Sequence, residues 1–240
     1  MNFETQILEA KRVVLFLDFD GTLAPIVLRP AEAAMPPETF SALKVLAADE
    51  KYKVAFVSGR SAEDLERRAP LAGAIYAGNH GLEIHGAGPR FAIAEDPLLR
   101  LTLERLELAL ANIHGVEIED KILSASVHFR RVPEQEWPLV EEAVLRIVPR
   151  KLNLRGGKMV FEIRPAVDWN KGSAVRWIIT QLGLEDMCHV YIGDDLTDED
   201  AFAVLPDGVT VHVGMAGNTA AKYRLRDTDE VGQLLQRLAQ

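Results

Sequence analysis

The sequence predicts an α/β protein whose parallel-sheet core, Rossmann-like in its alternation of strands and helices, is interrupted by an inserted α+β module. Short apolar runs rich in β-branched residues alternate with helical segments at both ends of the chain, as buried parallel strands do. The middle of the chain instead has neighbouring strands that can pair with each other, which indicates an antiparallel sheet. We therefore place the core at residues 1–85 and 167–240 and the module at residues 86–166.

The first part of the core contains three short buried strands, each closed by a polar turn. The first strand stops at Asp20-Gly21-Thr22, where glycine and aspartate favour a turn. Ser61 and Asp64 have the spacing of a capping box, so a helix is expected to begin there. The other predicted elements are strand 13–19, helix 37–49, strand 53–57 and strand 74–77.

The inserted module is expected to form an antiparallel sheet that carries its helices on one face. Its predicted elements are helix 97–112, strands 116–119 and 123–131, helix 133–147, and strands 152–155 and 159–164. The core then resumes with helix 172–182, strand 189–192, helix 198–204, strand 209–213 and helix 230–238. Because polar turns follow the carboxyl ends of the core strands, we expect ligand to bind there, in a cleft facing the module.

Composition excludes several classes of protein. With 240 residues, 48% hydrophobic and 26% charged, the chain can bury a substantial core. Its net charge of −9 offers no broad basic surface to a nucleic acid. Cys188 is the sole cysteine, so no internal disulfide forms and a reducing, cytoplasmic location is expected. The first twelve residues resemble neither a signal peptide nor a membrane span.

Asp18 and Asp20 lie two residues apart at the end of the first strand, so both can face one side of the sheet edge. A divalent cation that prefers oxygen, most simply Mg²⁺, would neutralise the pair and leave one carboxylate able to attack phosphorus. Asp20 could then act as the general acid or base. The alternative is a strand-ending turn in which the aspartates cap backbone amides.

A second acidic cluster, Gly193 to Asp200, follows a strand in the last part of the chain. Thr197 and Asp200 have capping-box spacing, and acidic residues are favourable in a first helical turn, so part of this cluster has a structural explanation. Asp194 and Asp195 precede the predicted cap and are therefore the better candidates to bind or support a metal. Asp198 is a candidate to orient them from outside the ligand shell.

Two further residues follow this pattern. Ser58 ends the second strand beside Gly59, where its hydroxyl and the turn amides can donate to a phosphate oxygen, although a simple turn serine is the more ordinary explanation for Ser58 by itself. Lys171 lies at the start of a helix, where a cation opposes the helix dipole and calls for a nearby anion. An exposed lysine without a partner is the alternative for that position.

The order of these four clusters resembles the signature motifs of the haloacid dehalogenase-like (HAD) phosphatases. Asp18-Phe19-Asp20-Gly21-Thr22, Ser58, Lys171 and Gly193-Asp194-Asp195 are spaced by 40, 113 and 23 residues. The resemblance implies a phosphoaspartate at Asp18, acid/base chemistry at Asp20, and a phosphoryl group held by Ser58 and Lys171. It also implies Mg²⁺ on Asp18, the main-chain carbonyl of Asp20 and Asp194, and a substrate-selecting cap of the larger C2 type in the long gap.

Within that superfamily the sequence is similar to the trehalose-6-phosphate phosphatases. Where that family has alanine after the second glycine of Gly78-Asn79-His80-Gly81, this chain has Leu82, a packing change. The matching stretches are Val57 to Arg60, Gly78 to Gly81 with Glu83, Val127 to Arg130, Gly157 to Pro165, Asn170 to Gly172, and Gly193 to Phe202.

The family resemblance implies a set of substrate-binding residues, namely Arg60, Asn79, His80, His128, Arg130, Lys158 and Glu162. A disaccharide offers only hydroxyls to its site, so polar side chains with several hydrogen-bonding atoms suit it. Arg130 or Arg164 could also offset the charge of the phosphate. The alternative is that Lys158 and Glu162 form a surface ion pair and that His128 only lines the exposed side of the module's sheet.

The resemblance thus implies Mg²⁺-dependent hydrolysis of trehalose 6-phosphate. Two alternatives stay open: a phosphatase of the same architecture that acts on sucrose phosphate or mannosyl-3-phosphoglycerate, and a non-catalytic sugar-phosphate binding module. We expect a small-molecule substrate, no nucleic acid or membrane partner, and a monomer, with association to a trehalose-phosphate synthase left open.

Overall fold

A computed structural model describes residues 3–157 and 159–240. The chain divides into two compact units. The first unit comprises Met1–Ala92 and Trp169–Gln240, and the second comprises Ile93–Asp168. No helix within the described residues is both long and apolar enough to cross a membrane.

The regular elements alternate along most of the chain. The helices are α1 (Phe3–Glu9), α2 (Pro37–Ala48), α3 (Ala62–Arg68), α4 (Pro97–Leu110), α5 (Trp137–Ile147), α6 (Lys171–Leu182), α7 (Glu199–Ala203) and α8 (Thr228–Leu238). The strands are β1 (Val13–Leu17), β2 (Tyr52–Val57), β3 (Ile75–Gly78), β4 (Glu83–Gly86), β5 (Phe91–Ala92), β6 (Glu117–Asp120), β7 (Ala125–His128), β8 (Leu152–Gly157), β9 (Val160–Pro165), β10 (Cys188–Gly193), β11 (Val209–Val213) and β12 (Tyr223–Leu225).

The first unit is built on one sheet with the strand order β12-β11-β10-β1-β2-β3-β4-β5. The strands from β12 to β3 are mutually parallel, whereas β4 and β5 are added antiparallel at the edge next to β3. The central strand β1 is buried along its whole length. This burial explains why its sequence is a continuous apolar run rather than an alternating one.

Helices cover both faces of this sheet. Val13, Leu15 and Leu17 of β1 belong to the hydrophobic cluster that includes residues of α2, α3 and α8. Val14 and Phe16 belong to a second cluster, with residues of α6 and α7. Successive side chains of a strand point to opposite faces, so β1 is packed on both sides.

The second unit is a four-stranded antiparallel sheet, ordered β6-β7-β9-β8, with α4 and α5 on one face. Asp96 caps α4 by accepting from the Leu98 amide at 2.8 Å, and Pro97 occupies the first turn, where a missing amide hydrogen is harmless. Its buried core contains Leu106 of α4, Val127 of β7 and Ile163 of β9. The unit therefore has a hydrophobic core of its own.

The observed elements differ from the predicted ones mainly at sheet edges. Strands β4 and β5 extend the first sheet, so residues 86–92 belong to the first unit rather than to the inserted module. Strand β12 is three residues long and is absent from the sequence prediction, since so short a run carries little periodicity. The predicted strand 123–131 is shorter, because a turn closed by the Val132 amide on the Phe129 carbonyl follows β7.

We predict that Leu106→Ala destabilises the second unit by about 2–5 kcal/mol, because the fully buried side chain leaves a cavity. Leu108→Ala, on the same helix but 81% exposed, is the matched control and should change stability by less than about 0.5 kcal/mol. Urea unfolding of the whole chain measures both. Equal losses for the two variants would contradict the packing described for α4.

Candidate active site

Three of the predicted site residues follow neighbouring strands of the first sheet. They lie at the edge formed by the carboxyl ends of its parallel strands, not at an outer strand. In the order β10-β1-β2, Leu17 pairs with Ile192 on one side and with Phe56 on the other. The amide of Asp18 donates to the Ile192 carbonyl at 3.0 Å, which continues the ladder one residue beyond β1. Asp18, Ser58 and Asp194 therefore lie just past the carboxyl ends of parallel strands, where α/β proteins bind ligands.

Lys171 reaches this edge from the first position of α6. Asn170 caps the helix by accepting from the Ser173 amide at 2.9 Å. The Lys171 ammonium lies 3.1 Å from Asp18 Oδ1 and 2.7 Å from Asp198 Oδ1. All three side chains are buried. A cation at a helix start requires a nearby anion, and Lys171 has two, Asp18 and Asp198.

The cluster carries more negative than positive charge. Oxygens of Asp18, Asp194 and Asp198 lie within 4.8 Å of one another, with Lys171 as the ammonium among them. Burial raises the pKa of Asp18 well above its usual value; Lys171 opposes this, while Asp198, Asp194 and Asp20 add to it. Burial opposes the charge of Lys171, yet Asp18 and Asp198 raise its pKa overall. Excess carboxylate oxygen is the donor set that a hard divalent cation prefers, so these residues fit Mg²⁺.

Two glycines allow the carboxylates to come this close. A Cβ on Gly21 would lie 2.1 Å from Asp194 Oδ2, and Gly21 also has a φ of +79°. A Cβ on Gly193 would lie 2.3 Å from Cγ of Asp198. Side chains at either position would displace an aspartate of the cluster.

Asp20 is held separately, by Arg60. Nε and Nη2 of Arg60 each donate to one oxygen of Asp20 at 2.6 Å, a bidentate pair. Nη1 of Arg60 donates to Asp64 at 2.8 Å, and Nη2 also donates to the Pro30 carbonyl at 2.8 Å. The family resemblance places Arg60 among the substrate-binding residues, but its buried guanidinium is engaged by these groups. The structure gives it the position of a support for Asp20.

Asn79 and His80 form a buried, left-handed turn between β3 and β4. Their φ angles are 52° and 58°, a conformation uncommon outside glycine. The amide of Asn79 donates to the Arg60 carbonyl at 2.7 Å, and that of His80 donates to the Ser58 carbonyl at 2.8 Å. The Asn79 side chain donates to Glu83 at 2.6 Å and is fully buried. Both residues are predicted from the sequence to contact substrate; in the structure their main-chain amides brace the loop that carries Ser58.

From the sequence, Asp195 is expected to lie closer to the metal site than Asp198. Asp195 is exposed, whereas Asp198 is fully buried against Lys171. The Asp195 amide donates to Asp198 Oδ2 at 2.9 Å, so the turn after β10 is closed by this pair rather than by Thr197 and Asp200. Asp198 thus holds Lys171 together with Asp18.

Sequence reasoning misses Tyr191, which donates its hydroxyl to Asp198 Oδ1 at 2.7 Å. The sequence does contain a signal for this residue: Tyr191 is the one polar side chain in the apolar second half of β10, which leads to the acidic turn. Sequence reasoning also misses Glu119, which lies 3.0 Å from His128 Nε2. The signal for Glu119 is that acidic and apolar residues alternate along β6, as Glu117, Ile118 and Glu119, which places both glutamates on one face of the sheet.

The remaining predicted binding residues belong to the second unit. His128 of β7 and Glu162 of β9 alternate with Val127 and Ile163, which pack under the helices. Both therefore lie on the sheet face opposite α4 and α5. Arg130 follows β7 in a turn. Lys158 lies outside the described residues.

Comparison with known proteins identifies the family. The trehalose-phosphatase family model matches residues 16–229. The chain belongs to the trehalose-phosphatase family. It is similar to Probable trehalose-phosphate phosphatase D of Arabidopsis thaliana, with 37% identity over 255 residues, 97% of this chain and 68% of that protein. It is also similar to Trehalose 6-phosphate phosphatase RA3 of Zea mays, with 37% identity, 96% of this chain and 71% of that protein.

Solved structures share the fold of this chain. The C-terminal domain of trehalose-6-phosphate phosphatase from C. albicans has a TM-score of 0.85 at 24% identity, covering 100% of this chain and 97% of that one. A trehalose-6-phosphate phosphatase related protein has a TM-score of 0.80 at 28% identity, covering 94% and 96%. A HAD subclass IIB sugar phosphatase has a TM-score of 0.59 at 18% identity, covering 92% and 96%.

The predicted family and fold class are therefore confirmed. The chain is a trehalose-phosphatase family member with a HAD-type core and a second antiparallel sheet, and the family's enzymes are phosphoric monoester hydrolases. In this chain Asp18, Lys171 and Asp198 meet at one sheet edge, with Asp194 beside them.

We predict that Gly21→Ala abolishes most phosphatase activity because the new methyl group displaces Asp194. Gly73→Ala is the matched control, since Gly73 has nearly the same φ, +78°, and no heavy atom lies within 4 Å of the position that its methyl group would take. Both variants should lose about 1–2 kcal/mol of stability from the left-handed backbone. Phosphate release and thermal unfolding measure the two effects, and equal activity in both variants would contradict the role of Gly21.

We predict that Arg60→Lys lowers kcat by about tenfold or more with little change in KM, because lysine cannot hold Asp20 in a bidentate pair. Arg67→Lys is the control, since exposed Arg67 also pairs with Asp64 but takes no part in the pair with Asp20. Steady-state kinetics on a phosphate monoester measure both variants. A raised KM at unchanged kcat would instead support the prediction that Arg60 binds substrate.

Proposed function

We propose that this trehalose-phosphatase family member hydrolyses trehalose 6-phosphate to trehalose and phosphate in two steps through a phosphoaspartate on Asp18. The observation that carries the proposal is the convergence of Asp18, Lys171 and Asp198 in one buried cluster beside Asp194. The substrate is supported by the plant relatives, which are named as phosphatases of trehalose phosphate.

Asp18 is proposed as the nucleophile. Its carboxylate oxygen forms a bond to phosphorus as the bond between phosphorus and the sugar oxygen breaks. Lys171 lies 3.1 Å from Asp18, so its ammonium can stabilise a phosphoryl oxygen next to the attacking group. Ser58, whose turn is fixed by the His80 amide, is proposed to donate to a second phosphoryl oxygen.

Asp20 is proposed as the general acid and base. In the first step its proton passes to the departing sugar oxygen, and in the second step its carboxylate removes a proton from water that attacks the phosphoaspartate. The second step breaks the bond between phosphorus and Asp18 and restores the free carboxylate. Asp20 is the partly exposed member of its pair with Arg60, at 39% of its side-chain surface, which suits contact with a leaving group and with water.

The proposed metal is Mg²⁺, held by Asp18, the main-chain carbonyl of Asp20 and Asp194. The support is the excess of carboxylate oxygens in the cluster, for which Lys171 alone is not sufficient compensation. When bound, the cation would supply positive charge to the phosphoryl oxygens. Asp198 is proposed to act on Lys171 rather than on the metal, because its Oδ1 already accepts from the ammonium at 2.7 Å.

The second unit is proposed to select the sugar. His128 and Glu162 lie on the sheet face that the helices leave uncovered, together with Glu119. Such side chains offer several donors and acceptors for sugar hydroxyls. Arg130 and Lys158 are proposed to join them, Arg130 from the turn after β7 and Lys158 from outside the described residues.

We predict a preference of about a hundredfold or more in kcat/KM for trehalose 6-phosphate, equivalent to about 2.7 kcal/mol. The comparison substrates are sucrose 6-phosphate, glucose 6-phosphate, mannosyl-3-phosphoglycerate and p-nitrophenyl phosphate, each assayed by phosphate release with Mg²⁺. Asp18→Asn should release no phosphate while keeping the fold, since the amide cannot form the phosphoaspartate, and it serves as the blank.

The outcomes separate the alternatives. Equal rates on all substrates would keep the phosphatase chemistry and overturn the selection of trehalose 6-phosphate. Preference for another sugar phosphate would identify a different phosphatase of the same architecture. No release from any substrate, with trehalose 6-phosphate still bound, would indicate a non-catalytic binding module. Turnover by Asp18→Asn would exclude Asp18 as the nucleophile.

A further inference from the structure

Asp198 accepts three hydrogen bonds, one of which comes from a side chain outside the proposed catalytic machinery, that of Tyr191. Its Oδ1 accepts from Lys171 Nζ at 2.7 Å and from the Tyr191 hydroxyl at 2.7 Å. Its Oδ2 accepts from the Asp195 amide at 2.9 Å. The phenol and the backbone amide thus each bind a different oxygen of the carboxylate. The oxygen that faces Lys171 is therefore the one that Tyr191 holds.

Tyr191 is itself held firmly. Its side chain is fully buried in the cluster under α6 and α7. The ring stacks with Phe16 at a centroid distance of 6.5 Å and meets Phe202 edge-on at 5.5 Å. Burial, followed by the charges of Asp198 and Asp18, raises the pKa of Tyr191 well above its usual value. The phenol therefore keeps its proton and acts as a donor to Asp198.

We propose that Tyr191 is a positioning residue for phosphoryl transfer, which fixes Asp198 and through it the ammonium of Lys171. The proposal rests on the proposed function, in which Lys171 contacts the transferring phosphoryl group. A lysine ammonium is a point charge on a flexible four-carbon stem, so its place depends on the anions around it. One of those anions, Asp18, changes charge and bonding during the reaction. Asp198 is the partner that stays constant, and Tyr191 keeps its Oδ1 in place.

The chain offers a matched control in Tyr76. Tyr76 is 2% exposed and its ring stacks with Phe56 at 5.4 Å. Its hydroxyl donates to the Ala69 carbonyl at 2.7 Å and accepts from the Leu71 amide at 2.9 Å. Both tyrosines are thus buried, stacked and hydrogen-bonded in the same sheet, but the Tyr76 hydroxyl bonds to main-chain groups. Loss of either hydroxyl is expected to lower the stability of the fold, but only loss of the Tyr191 hydroxyl is expected to displace Lys171.

The test compares Tyr191→Phe with Tyr76→Phe in steady-state kinetics on trehalose 6-phosphate and on p-nitrophenyl phosphate. We expect Tyr191→Phe to lower kcat by about tenfold or more, with KM changed by less than about threefold, and by a similar factor for both substrates. The factor is shared because Lys171 acts on the phosphoryl group and not on the leaving group. Tyr76→Phe should keep kcat within about twofold of the wild type.

A double-mutant cycle with Asp198→Asn tests the route of the effect. If Tyr191 acts through Asp198, then Tyr191→Phe should cause little further loss of kcat in the Asp198→Asn background. Losses that multiply in the double variant would overturn the proposal, as would an unchanged kcat in Tyr191→Phe. An equal loss in Tyr76→Phe would also overturn it, because the effect would then be general loosening of the core.

Binding of orthovanadate, measured by calorimetry, gives a readout that needs no turnover. We expect Tyr191→Phe to weaken it by about tenfold and Tyr76→Phe to leave it unchanged; equal affinities would overturn the proposal. Wild-type protein that hydrolyses p-nitrophenyl phosphate but not trehalose 6-phosphate would overturn the proposed substrate and leave the Tyr191 comparison intact. Where Tyr191→Phe does not fold, Tyr191→Met, which also lacks the donor, replaces it in every arm.

Discussion

The buried ion pairs of Lys171 are the interaction on which the rest of the site depends. A charge that leaves water without a partner costs several kcal/mol, so the ammonium can lie 2% exposed only because Asp18 and Asp198 accompany it. That requirement fixes the surrounding backbone. It brings the start of α6 to the ends of β1 and β10, and it leaves room for glycine alone at position 193, since any side chain there would strike Asp198.

The same electrostatics divides the acidic residues into two groups with different partners. Asp18, Asp194 and Asp198 share one region and carry more negative charge than Lys171 offsets, a region suited to further positive charge. Asp20 lies two residues from Asp18 but is paired with Arg60, which Asp64 in turn holds. The two carboxylates of one short motif are thus kept in separate environments. Such separation is how neighbouring carboxylates acquire different chemical roles.

Features that depend on chain order and strand periodicity could be predicted from the sequence. The apolar run of β1 indicates a buried strand, and the carboxyl ends of parallel strands share one edge, so the grouping of Asp18, Ser58 and Asp194 followed from position alone. Features that depend on side-chain direction could not. The sequence alone does not determine whether a polar side chain such as that of Asn79 faces a ligand or donates inward to Glu83. The exposure of Asp195 and the burial of Asp198 likewise depend on the turn after β10, whose geometry sets which carboxylate faces inward.

Several residues that break ordinary folding rules lie at this one edge. A cation begins a helix at Lys171, a phenol interrupts the apolar strand β10, and two non-glycine residues adopt left-handed backbone beside Ser58. Each choice costs stability that an apolar or regular alternative would avoid, because well-packed hydrophobic residues often stabilise a core as well as a buried charge network does. Stability therefore does not explain the network. Its hydrogen bonds converge on Lys171 and Asp18, so the network is explained better by the placement of charge that the proposed phosphoryl transfer requires.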